Sequence, residues 1–174
     1  TMTVPNDYVA KGIFNIFLNK TNGYKRKLVK ASSGSATIFL GAIVTRVGET
    51  AGTPEVDLCD KGQAVYGVIT GKAWAARDMS KDSDSPYADG TKLLLEFLEE
   101  GDQVWLTAKT NTAITEAKSV QVDGGFIITF AYTDAAANTD TLSSVIGNAA
   151  IGCSATVSQE KLCLIDITSK VGAV

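Results

Sequence analysis

Apolar, β-branched and aromatic residues come in short runs separated by glycine and polar turns along most of this chain. Residues 37–45 (TIFLGAIVT) are rich in them and break at Gly41, a composition that suits a pleated, half-buried surface. Residues 64–70 (AVYGVIT) read alike, and Gly71 leads from them into residues 72–76. Residues 102–108 alternate, with Val104, Leu106 and Ala108 on one face and Gln103, Trp105 and Thr107 on the other. The plainest hairpin is 120–122, then Asp123-Gly124-Gly125, then 126–132. Asp-Gly-Gly supplies residues that tolerate the positive φ of a tight turn. Alternation puts Phe126, Ile128, Phe130 and Tyr132 on a shared face. Residues 151–157 and 161–167 form a last pair about the turn 158–160. Residues 91–100 (TKLLLEFLEE) have a helical composition but equally suit a strand buried on both faces; their strand neighbours favour a strand. Residues 134–148 show no period and read as a loop, with at most a short helical turn. No repeat of solenoid length is visible.

This pattern predicts a mainly β protein: a small β-barrel or sandwich of about eight to ten short antiparallel strands, with an extended N-terminal arm. Residues 1–23 are expected to be the arm and residues 24–174 a single β-rich domain. Leu40, Val65, Val68, Val104, Leu106, Ile128 and Phe130 are the expected core. The arm carries Ile13, Phe14, Ile16, Phe17 and Leu18, which suit an edge strand or a segment packed on a neighbouring subunit.

Charge sharpens that expectation. The chain has net charge −3, yet residues 1–30 hold six basic side chains against one acid, so the rest carries −8. A basic arm on an acidic body suits charge-steered contact between copies. The plainer alternative is a solvated basic strand, since Lys25, Arg26 and Lys27 run into Leu28 and Val29. The acidic body argues against nucleic acid as a partner. No apolar run approaches 18 residues, so no transmembrane helix and no membrane partner are expected.

Candidate chemistry is thin. The chain contains no histidine, which excludes Ser-His-Asp and Cys-His catalysis, HExxH metal sites and histidine proton shuttles. Phosphate-cradling glycine motifs are also missing. Cys59, Cys153 and Cys163 are too few and too dispersed for a disulfide scaffold or a CxxC site; they suit buried thiols, although a Cys153–Cys163 bridge could form within a hairpin. Asp82, Asp84 and Asp89 place carboxylates on one loop, the weak beginnings of a calcium site without EF-hand spacing. An ordinary loop with Asp and Ser bonding their own backbone explains them as well. Neither an enzyme nor a cofactor or metal requirement is expected. Trp74 and Trp105 suit core or interface anchors.

Three short motifs carry a resemblance: Gly41-Ala-Ile-Val44, Gly62-Gln-Ala-Val-Tyr-Gly-Val-Ile69 and Glu99-Glu-Gly-Asp-Gln-Val-Trp105. Over residues 25–132 their order resembles small β-rich decoration (cement) and minor capsid proteins of viruses and tailed phages, in which an arm follows capsid subunits away from a barrel or "tulip" core. The resemblance implies a structural virion protein without catalytic residues. Its partners would be the major capsid protein and itself, as a homo-oligomer with a trimer favoured, and its location the virion. On this reading Ile13, Phe14, Phe17, Leu18, Lys25, Arg26 and Lys27 are the interface residues. A carbohydrate- or ligand-binding β-module of a fibre or secreted protein is the alternative.

Overall fold

The computed structural model describes residues 8–9, 16–32, 37–130, 144–155 and 161–168. The described residues form twelve strands and no helix: β1 (Tyr8–Val9), β2 (Phe17–Asn19), β3 (Arg26–Ala31), β4 (Ile43–Thr50), β5 (Thr53–Leu58), β6 (Gly67–Lys72), β7 (Lys92–Glu96), β8 (Gln103–Ala108), β9 (Ser119–Asp123), β10 (Phe126–Thr129), β11 (Val145–Ile151) and β12 (Lys161–Ile167). The mainly β, barrel-like expectation holds. Residues 92–96 are a strand, with Leu93 and Leu95 fully buried and Lys92 exposed.

The strands close into two rings. β3-β5-β4-β6-β7 is a closed barrel. In the second sheet, the β8–β12 ladder joins the run β12-β11-β9-β10-β8 back on itself. The two rings share one topology. In each, the first strand runs parallel to the third and antiparallel to the fifth, the second pairs with the third and fourth, and the fourth with the fifth. The parallel closures also match. Ala31 pairs with Val56 and Ala108 with Ile127, and all four side chains are buried. Small residues there let neighbouring strands converge. This duplication of topology has no counterpart as a sequence period.

Two cores result. One fills the first barrel: Val29, Ile38, Phe39, Val44, Val56, Ile69, Leu93 and Leu95. The other fills the second ring and continues between the rings, joining Val104, Leu106, Ile127, Ile146 and Ile165 to Ile43, Cys59, Val65, Val68 and Leu98. Strand alternation makes this possible: on β6, Val68 faces the shared core and Ile69 the first barrel. The Asp123–Phe126 turn links the rings further. Gly125 has φ +81° and donates to the Cys59 carbonyl at 2.9 Å, while its own carbonyl accepts from the Ile43 amide at 3.1 Å. A Cβ at Gly125 would meet Leu58 at 2.5 Å, so glycine is required by both φ and space. Phe126 stacks on Phe39 with ring centroids 4.8 Å apart.

Three expectations need correction. Leu40, Ile128 and Phe130 are only half-buried; on β10 the fully buried residue is Ile127. Both faces of that strand are apolar, so alternation alone did not fix its phase; the closure against Ala108 does. The last hairpin begins earlier than expected, because β11 starts at Val145; its turn, 158–160, lies outside the described residues. The described part of the expected arm belongs to the molecule's own sheet. Tyr8–Val9 pairs with β12, and Phe17–Asn19 pairs with β8. β10 reaches β8 only at Ala108, and β2 fills the wall beside Gln103 and Val104, burying Ile16 and Phe17 in the shared core.

The long β6–β7 connection closes one end of the first barrel through Tyr87, which is buried beside Ile38 and Phe39. Its hydroxyl has no hydrogen-bond partner among the described residues, and burial pushes its pKa up to about 12. An unpartnered buried hydroxyl keeps its desolvation cost, about 1–3 kcal/mol. Tyr87→Phe should therefore leave stability unchanged or raise it by about 1 kcal/mol; urea unfolding checks this, and a loss above that size would mean the hydroxyl is bonded.

Candidate interaction surface

Two chain segments cross between the rings side by side. Residues 20–25 run from β2, on the second ring, into β3 of the first. Residues 97–102 run from β7 of the first ring to β8 of the second. Three carboxylates on the second segment and its flank hold the first. Asp102 pairs with Lys20 at 2.7 Å, and the two side chains are 0% and 2% exposed. Its other oxygen accepts the Thr21 amide at 2.9 Å, and Lys20 also donates to the Phe97 carbonyl at 2.7 Å. Glu99 binds Lys25 and the Asn22 amide nitrogen, each at 2.8 Å. Glu96 accepts the Lys25 backbone N–H through Oε2. The Lys20 ammonium also lies over the Phe17 ring, 4.8 Å from its centroid.

Glu96 is the strained member. It is fully buried, and its Oε1 has no hydrogen-bond partner among the described residues. Burial raises its pKa; the Lys25 N–H, Lys20 and Arg26 oppose this, and Asp102 adds to it. Glu99 moves the other way, lowered by its bonds from Lys25 and Asn22. A small cleft over Glu96 is lined by Tyr24, Arg26, Thr70 and Arg77, with a volume of about 20 Å³, room for one water.

The interface residues expected from sequence separate on this scaffold. Ile13 and Phe14 lie outside the described residues. Phe17 is core and not interface, because its ring fills the wall beside β8. Lys25 is taken up by Glu99. Leu18 is 59% exposed, Lys27 is exposed, and Arg26 lies over the exposed Tyr24 ring at 5.6 Å. The Asp82–Asp89 loop is held locally: Asp82 Oδ1 accepts the amides of Asp84 and Ser85. Among the described residues no three His, Cys, Asp or Glu side chains form a metal-holding group. Cys59 and Cys163 are buried thiols, Cys153 is half-buried, and no disulfide joins them. Burial, with Asp60 adding to it, raises Cys59 to about 12, so this thiol is inert. Sequence reading missed Glu96, Asp102 and Lys20; their only signal was acids at 96, 99 and 102 following an apolar run.

The most exposed large apolar residue among the described ones is Trp74, at 81%. It follows β6 in a tight turn with φ +57°, a left-handed conformation that bulky residues rarely adopt and that costs about 1–3 kcal/mol. The turn is fixed by the Ala73 amide, which donates to the Lys92 carbonyl at 3.0 Å, and Lys92 Nζ lies 5.5 Å from the indole centroid. Lys72 ends β6 two residues before Trp74, and Lys30, opposite Lys92 in the β3–β7 register, is paired with Glu55 at 3.8 Å. By contrast Trp105 is half-buried beside a cleft of about 30 Å³. The candidate interaction surface is the Trp74 end of the first barrel.

Lys20→Met should destabilise the fold by about 3–5 kcal/mol, because it leaves Asp102 buried without its cation; chemical unfolding measures this, and a change below 1 kcal/mol would contradict the buried pair. Glu96 gives a pH signature. Its folded pKa is raised, so the folded state gains a proton before the unfolded chain does, and its burial penalty fades as pH falls from neutral through that value. Stability of the native chain relative to Glu96→Gln should rise as pH is lowered from 8 towards 5; a flat difference would mean the carboxyl is not buried. Neither a protein-family model nor a curated protein matches this chain.

Proposed function

We propose that this chain is a structural assembly protein that attaches to a larger protein shell, the decoration role its motifs suggest, with the major capsid protein and further copies of itself as partners. The observation that carries the reading is Trp74: a large aromatic residue held in a strained turn, exposed, with the Lys92 ammonium over its ring. Strain and exposure both oppose folding, and backbone outliers of this kind cluster where a surface is used. Trp is the residue most enriched at the centre of protein interfaces. The doubled barrel adds two closed rings packed on a shared core, suited to presenting surfaces. The capsid-facing role expected of residues 1–23 does not extend to Tyr8–Val9, Ile16, Phe17 or Lys20, which support the fold itself. Carbohydrate binding is the second reading, favoured by the same exposed indole, but Trp74 stands on a convex turn.

Gradient sedimentation of the native source tests the reading. The chain is expected to travel with large particles and to leave them when Trp74→Ala is introduced. Recovery only in the slow, unassembled fractions contradicts it, and retention on immobilised glycans in its place would favour the second reading.

A further inference from the structure

The two rings differ in charge. Residues 21–96 hold ten basic and nine acidic side chains, net +1, while residues 1–20, whose β1 and β2 belong to the second sheet, together with residues 97–174 hold six and ten, net −4. The exposed aromatic anchor lies on the basic half. On the acidic half, an open groove of about 280 Å³ is bounded by Ile114, Glu116, Ala150, Ile151 and Gly152. It forms where Ile114 bridges to Cys153 beside the end of β11. Ile114, Ala150 and Ile151 give it an aliphatic wall, Glu116, Cys153 and Ser154 complete its lining, and its volume falls short of a typical small-molecule site.

We propose that Trp74 of one copy docks in the Ile114–Ile151 groove of a second copy, with Lys92 and Lys72 placed against Glu116. The inference deepens the assembly reading above by specifying how copies of the chain join. Three features select this occupant. The indole needs an aliphatic socket, and the groove supplies one. Lys92 over the indole needs an acid, and Glu116 supplies it. The net charges of the two rings are opposite, so approach of the basic end to the acidic end is favoured and salt-dependent. Anchor and socket lie on different surfaces, so the contact is head-to-tail. Such a contact closes into a ring when the rotation per copy allows it; a trimer is the expected ring.

Sedimentation equilibrium of the purified chain at low and high salt provides the test, with no particle present, so its outcome is independent of capsid binding. The native chain should self-associate, and 0.5 M salt should weaken association several-fold. Trp74→Ala should weaken it at least about tenfold, as loss of a central aromatic anchor does. Lys92→Glu and Glu116→Lys should each weaken it, and the two together, mixed or combined, should restore much of the loss. Trp74→Gly separates docking from folding: relief of the left-handed strain should raise the melting midpoint of the monomer while association is lost. A native chain that stays monomeric at 100 µM, a Trp74→Ala chain that associates normally, or charge reversals that fail to rescue each other would overturn the proposal.

Discussion

The buried pair between Lys20 and Asp102 is the constraint on which the arrangement of the molecule depends. It joins the two chain segments that cross between the rings, at a point where both charges are removed from water. Such a pair adds little net stability compared with apolar packing, but removing one partner is expensive. Its effect is therefore geometric. Asp102 also holds the amides of Thr21 and Glu99, so a single carboxylate fixes the start of β3, the end of the β7 crossover and the entrance to β8. Residues 16–25 are in consequence part of the fold.

Around that tie, the two rings are packed as one body. The shared core spans both, and the Asp123–Phe126 turn bonds to the backbone of the first barrel while Phe126 stacks on Phe39. A rigid pair of barrels with opposite net charge presents a basic, aromatic end and an acidic, grooved end in a fixed relation. That is the property an assembly element needs, because repeated contacts add only when their geometry is held. The absence of histidine from the sequence limits proton-transfer chemistry at neutral pH, and two of the titratable groups that the fold perturbs, Glu96 and Glu99, hold the crossing segment in place.

Much of the fold was legible in the sequence because hydrophobic alternation and turn chemistry are local. Val104, Leu106 and Ala108 lie on one buried face as their spacing implies, and Asp123-Gly124-Gly125 makes the turn its residues favour. Two things were not legible. The phase of β10 depends on a parallel closure with Ala108, a contact between distant residues. The place of residues 16–20 depends on a gap in the wall beside β8, which exists only once the ring has closed; an apolar segment with lysines reads the same whether it fills that gap or reaches a neighbour. At the candidate surface, Trp74 was visible as an anchor by its chemistry, but its exposure follows from a left-handed turn that no residue in Lys72-Ala-Trp-Ala-Ala76 announces. The doubling of topology was also hidden, since equivalent strands share pairing and not residues.

The central claim is that the Lys20–Asp102 tie and the shared core make the two rings a single cooperative unit. Native-state hydrogen exchange tests it most directly, by comparing the Leu95 amide in the first barrel with the Leu106 amide in the second. The account predicts equal opening free energies for the two amides, lowered together by Lys20→Met. Opening of one ring at a lower free energy than the other, or a Lys20→Met effect confined to one ring, would contradict it.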